Sequence, residues 1–110
     1  MAYRFDDVRP YGGQSAVYDR EYCCYVLDIR LYLDRLRCHR VPGPLLELGV
    51  GTGRVAIPLA SAGYAVTGID ASDAMLRQAR ARARRLPPDV AARLRFRKGD
   101  LASFRLPGPF

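Results

Sequence analysis

The chain has 110 residues, enough for one domain. Its apolar share of 49% excludes a disordered polymer, and no apolar run approaches the roughly 20 residues that a membrane helix needs. The formal charge of +7 is almost all arginine, with Lys98 the single lysine. A basic balance of this kind points to an anionic partner or to a solvated arginine-rich face. The positives crowd between Arg77 and Lys98, where Phe96 is the one aromatic residue, so a base-stacking surface is not indicated.

Residues 1–15 read as an extended lead broken by Pro10, Gly12 and Gly13. The start, Met1 to Asp7, lacks the apolar core of a signal peptide, and a cytoplasmic location is the expectation. From 16 to 40 the pattern turns helical. Tyr18, Tyr22, Val26, Ile29, Leu33 and Leu36 recur at three- and four-residue steps and share one face. The same segment holds Cys23, Cys24 and Cys38, an odd number without metal-ligand spacing, so no metal site is expected. Pro42-Gly43-Pro44 ends the helix.

Leu45–Leu48 reads as a first strand, apolar on both faces as parallel strands are. A helix is expected from Thr52 to Ala62, with Gly63 closing it and Pro58 awkward unless it falls in the first turn. A second strand spans 64–69. Ser72 caps a helix that runs to Leu86 and stops at Pro87-Pro88, and Leu94–Lys98 is a third strand. Strands alternating with helices imply an α/β unit with a parallel sheet and right-handed crossovers.

Gly49, Gly51 and Gly53 fall between the first strand and the next helix. Such a loop lets backbone N–H groups approach a ligand closely, and the helix N-terminus favours negative charge there. Asp70 ends the second strand, where a carboxylate can accept from the two hydroxyls of a ribose. Asp100 ends the third strand farther along the same edge, where an exocyclic amine could donate to it. Two cofactors satisfy this line of features. The dinucleotide fingerprint fits as Gly51-Thr52-Gly53-Arg54-Val55-Ala56 with Asp70 downstream, which implies NAD(P) and an oxidoreductase unit. The other is S-adenosylmethionine.

The runs Leu45-Leu46-Glu47-Leu48-Gly49-Val50-Gly51-Thr52-Gly53-Arg54, Gly68-Ile69-Asp70-Ala71-Ser72 with Ala74-Met75-Leu76, and Gly99-Asp100-Leu101 resemble the class I S-adenosylmethionine-dependent methyltransferases. Glu47 two residues before the glycines, the Asp-x-Ser-x-x-Met-Leu continuation and the long leading helix favour that family over the dinucleotide binders. The resemblance implies a Rossmann-like parallel sheet, with this chain supplying the strand 3-2-1 half of a seven-stranded fold behind a leading N-terminal helix. Residues 1–110 are then one domain, incomplete as a methyltransferase, with a lead (1–15), a leading helix (16–40) and a cofactor-binding half (45–110). Truncation of a larger enzyme, or a small protein dimerising through its open edge, are the two expectations for the missing half.

The resemblance also implies roles. Gly49, Gly51 and Gly53 admit the methionine part of the cofactor, and Glu47 supports that loop or contacts the cofactor amine. Asp70 holds the ribose. Ala71 and Met75 pack on the adenine, and Asp100 with the N–H of Leu101 reads its edge. Tyr18 is a candidate for the cofactor carboxylate or a core residue, and Arg54 a weaker carboxylate candidate. No residue stands out as a general base, and His39 lies away from the site. The acceptor is expected to be a small molecule; a nucleic-acid binder using 77–98 is the non-enzymatic alternative.

Overall fold

The computed structural model describes residues 27–106. Tyr18, Cys23, Cys24 and the first half of the expected leading helix lie outside the described residues. The described part of that helix, α1, spans Leu27–Cys38. It turns Ile29 inward as a buried residue and packs the half-buried Leu33 and Leu36 on the core. This is the apolar stripe expected from the three- and four-residue steps.

Three parallel strands follow: β1 (Leu45–Leu48), β2 (Val66–Asp70) and β3 (Leu94–Lys98), in the order β1-β2-β3. The register pairs Leu45 with Val66 and Glu47 with Gly68, then Val66 with Leu94 and Gly68 with Phe96. Side chains alternate between faces along a strand, so Leu45, Glu47, Val66, Leu94 and Phe96 share one face. The core lies there: Val50, Ala56, Leu59, Val66 and Leu76 cluster with Leu45, Leu94 and Phe96 packed against them.

Helix α2 spans Ala56–Ser61 and begins four residues later than the sequence suggests. Gly51 and Gly53 hold φ of 58° and 85°, in the left-handed region, and hold the chain out of helical geometry until Val55. The late start resolves Pro58. It is the third helical residue, where its missing N–H falls within the first turn that has no intrahelical acceptor. Helix α3, Asp73–Ala83, starts at Ser72, whose side chain accepts from the backbone N–H of Met75 at 3.3 Å. The prolines expected only to stop it do more. Pro88 opens a further short helix, α4 (Pro88–Ala91), which buries Val90.

The glycine loop rests on the sheet through one close contact. Val50 is 4% exposed and lies over Gly68, where a Cβ would come within 2.6 Å of the Val50 Cβ. Val50 is β-branched and enclosed, so it cannot rotate aside. Gly68→Ala is expected to cost about 1–3 kcal/mol by overpacking, read as a lower melting temperature. Adding Val50→Ala should recover part of that loss, whereas simple additivity of the two changes would refute the contact as the cause.

Candidate functional site

The site is built at the carboxyl ends of the strands, the edge at which open α/β sheets bind ligands. β1 runs into the loop 49–55. Gly49 and Val50 both donate to the carbonyl of Ile69, at 2.8 and 2.9 Å, so the loop folds back over β2. Cβ atoms built at Gly49 and Gly51 would meet nothing within 4 Å. Space therefore lies open beside Gly49 and Gly51, whereas a Cβ at Gly53 would come within 3.2 Å of Ile57, so Gly53 serves the packing of α2.

The carboxylate of Asp70 braces the loop. Its Oδ2 accepts from the N–H of Gly51 at 2.9 Å, and its Oδ1 accepts from the N–H of Ser72 at 2.8 Å. Each oxygen of an ionised carboxylate can take a second hydrogen bond, so Asp70 retains acceptor capacity. Behind the loop, Thr52 is fully buried, and Arg82 from α3 donates to its carbonyl at 3.2 Å and its hydroxyl at 3.3 Å.

Farther along the edge the chain turns at Asp100. Its Oδ1 accepts from the N–H of Ala102 at 2.9 Å, and its carbonyl accepts from Ser103 and Phe104. Asp100, Leu101 and Ala71 are exposed. Met75 differs: it is 3% exposed, its side chain enclosed among the packed residues of α3. Glycine loop, Asp70, Ala71, Asp100 and Leu101 thus follow one another along the strand ends. Tyr18 lies outside the described residues.

Beneath the loop sits a charge cluster. Arg54 donates through Nη2 and Nη1 to Oδ2 and Oδ1 of Asp28, at 2.6 and 3.1 Å, in a two-point ion pair. This bond holds Asp28 below the usual carboxylate range, against the opposing effect of burial. Arg54, read from sequence as a carboxylate candidate for a ligand, therefore already holds a carboxylate from α1. Glu47 faces the same region. It lies near the N–H of Ala56 at the start of α2, and its enclosed Oε2 has no partner among the described residues. Burial pushes Glu47 up to about 8; Arg54 pulls it down less strongly, and Asp28 and Asp70 push it further up. Near neutral pH Glu47 is therefore mostly a neutral acid.

Sequence reasoning missed Asp28 and Arg82. Both act across 26 or 30 residues of chain, and neither stands in a motif. Among the described residues no group of three His, Cys, Asp or Glu side chains is placed to hold a metal ion, and no helix is long and apolar enough to cross a membrane.

A parallel sheet with a glycine loop and strand-end acids defines a Rossmann-like cofactor-binding unit. Comparison with known proteins narrows the class. A family model described as a methyltransferase domain matches residues 45–110, and the chain belongs to that family. Among solved structures, it is similar to the glycopeptide N-methyltransferase MtfA complexed with sinefungin, at 33% identity and a TM-score of 0.71 over 77% of this chain and 33% of that one. MtfA complexed with S-adenosyl-L-methionine gives 34% identity and a TM-score of 0.68, over 76% of this chain and 32% of that one. The CcbJ methyltransferase from Streptomyces caelestis is 41% identical, with a TM-score of 0.56, over 60% of this chain and 26% of that one. The chain spans about a third of the length of the MtfA structures it matches. A search of curated proteins found no match.

Glu47 gives the site a pH signature. Its folded value of about 8 lies above the 4.5 of an ordinary glutamate, so the folded state binds more protons than the unfolded state between these values. Stability is therefore expected to be highest at acid pH and to fall as pH rises from about 5 to 8. Glu47→Gln should flatten that fall, with a melting temperature above the parent's by more than about 4 °C at pH 8.5. Parallel melting curves for both proteins across this range would refute the assignment.

Proposed function

We propose that this chain is the cofactor-binding half of an S-adenosyl-L-methionine-dependent methyltransferase acting on a small molecule. The observation that carries the reading is the brace formed by Asp70 between the N–H groups of Gly51 and Ser72, which presents a carboxylate with spare acceptor capacity beside an open glycine backbone. The solved MtfA structures, complexed with S-adenosyl-L-methionine and sinefungin, share this fold and support the cofactor assignment.

On this reading Gly49, Gly51 and Gly53 admit the methionine part of the cofactor, and Glu47 stands beneath its amine. Asp70 accepts from the ribose hydroxyls while still holding the loop. Ala71 lies beside the adenine, and Asp100 with the N–H of Leu101 reads the adenine edge. Met75 acts from beneath, its enclosed side chain supporting the wall on which the adenine rests. The bound sulfonium makes the methyl group electrophilic, and the chain's own task is to orient the cofactor and to exclude water. The domain is part of a larger catalytic unit, and the acceptor pocket is formed by segments additional to these strand ends. A cytoplasmic setting accords with the exposed Cys38 thiol, which a reducing compartment keeps intact.

Calorimetric titration with S-adenosylhomocysteine and, separately, with NAD tests the cofactor. Saturable binding of the sulfur ligand without NAD binding is expected; the reverse result would sink the proposal. Asp70→Asn removes the charge that both braces the loop and accepts from the ribose. It should weaken S-adenosylhomocysteine binding at least tenfold, because each hydrogen bond to a charged group is worth about 1.5–3 kcal/mol.

A further inference from the structure

β3 is an outer strand of the sheet, and beside it α3 and α4 leave an open groove of about 530 Å3. Arg80, Ala83 and Arg84 line it from the end of α3, Ala91 from α4, and Leu94 and Phe96 from β3. Leu94 is the first residue of β3. The groove therefore lies toward the amino ends of the strands, opposite the edge that carries the glycine loop, Asp70 and Asp100. Its size falls within the range of about 300–1,000 Å3 usual for small-molecule sites.

The lining combines two chemistries. Ala83, Ala91, Leu94 and Phe96 form an apolar floor, and both polar side chains are guanidiniums. Arg80 and Arg84 stand one helical turn apart on one face, where like charges repel. Each is anchored by one hydrogen bond. Nη2 of Arg80 donates to the carbonyl of Phe96 at 3.1 Å, and Nε of Arg84 donates to the carbonyl of Arg80 at 3.4 Å. A guanidinium carries five N–H donors, so both keep most of their capacity. The acids of the surrounding elements are engaged elsewhere: Asp73 of α3 with Lys98 at 2.9 Å, and Asp89 of α4 with Arg93 at 3.8 Å. Among the described residues no carboxylate lines the groove.

We propose that this groove is a second ligand site, for a small organic oxyanion: a carboxylate or phosphate carried on an apolar ring or chain. The floor takes the apolar body, and the paired guanidiniums, whose planar forks match both oxyanions, take the charged group. Neither half of such a ligand suffices alone. Water competes well for a bare ion at an exposed arginine, and an open floor removes little of a neutral ring from water. The site does not rest on the cofactor reading, because it shares no residue with the cofactor site.

The experiment titrates the isotopically labelled 110-residue chain with four probes, read by amide NMR shifts. The probes are phenyl phosphate, 3-phenylpropionate, inorganic phosphate and benzyl alcohol. At least one of the two organic anions should saturate, with shifts at Ala83, Ala91 and Phe96, and bind about tenfold or more tightly than inorganic phosphate or benzyl alcohol. Which of the two saturates distinguishes phosphate from carboxylate. Arg84→Gln should weaken that binding about fivefold, a modest loss because the groove is open to solvent. Ala83→Leu fills the floor without touching a charge and should abolish saturation. S-adenosylhomocysteine added beforehand should leave the probe's affinity unchanged. Four results would overturn the proposal: no saturation by either organic anion, inorganic phosphate binding as tightly as they do, either variant binding as the parent does, or displacement of the probe by S-adenosylhomocysteine. If one variant fails to fold, the other variant and the two half-probes decide. Absence of S-adenosylhomocysteine binding would overturn the cofactor reading alone, since saturation by the organic anions is measured without it.

Discussion

The carboxylate of Asp70 is the joint on which the site is assembled. It stands at the last residue of β2 and reaches back to the loop after β1 through Gly51 and forward to the approach of α3 through Ser72. One side chain thus fixes the relative position of three segments that chain connectivity leaves free. The loop needs such an anchor because its own residues provide little. Gly49 and Gly51 have no side chains to pack, and their left-handed backbone is entropically expensive to order. The remaining braces are also remote in sequence: the carbonyl of Ile69 below, Val50 seated on Gly68, and Arg82 behind Thr52. A surface that must stay bare for a ligand is held entirely from beneath.

The same geometry explains why charge gathers there. The start of α2 offers N–H groups without an intrahelical acceptor on one side of the loop. Glu47 lies near one of these, that of Ala56, and its burial there disfavours its charged form. Arg54 offsets part of this cost through space, Asp28 adds to it, and their ion pair joins α1 to the loop. The leading helix is therefore electrostatically part of the site, although it lies outside the sheet.

Much of this was legible in the sequence. The order of strands, the alternation with helices and the cap at Ser72 follow from local patterns, because apolar period and hydrogen-bond chemistry act over a few residues. Gly49, Gly51, Asp70 and Asp100 could be placed along one edge because they sit at strand ends. The boundary of α2 was not legible, since helical composition begins at Thr52 but Gly53 adopts a φ that no helix allows. Nor was α4. Pro87-Pro88 reads as a stop, yet proline is also suited to the first turn of a new helix. Arg54 misled for a different reason. Its position invites a ligand, yet it holds Asp28, which is 26 residues away on α1 and carries no local signal of that pairing. Met75 shows the limit of pattern: its spacing cannot say that the side chain is enclosed.

The arginine excess, which by composition alone suggests an anionic partner, has a large structural share. Arg82 donates to Thr52, Arg93 to the carbonyl of Ala60, Arg80 to the outward carbonyl of Phe96 on β3, and Arg84 to the carbonyl of Arg80. They reach the glycine loop, the last turn of α2, the strand edge and the body of α3; the carbonyls of Ala60 and Arg80 accept in addition from the backbone N–H groups of Gly63 and Arg84. A guanidinium suits this work because several donors in a fixed plane can span such gaps while the charge stays partly solvated. Arg80 does more than satisfy a carbonyl. An edge strand with open acceptors invites pairing with another chain, and a cation seated on the Phe96 carbonyl blocks that register of β3. Part of the positive charge between 77 and 98 thus caps backbone carbonyls and guards a sheet edge.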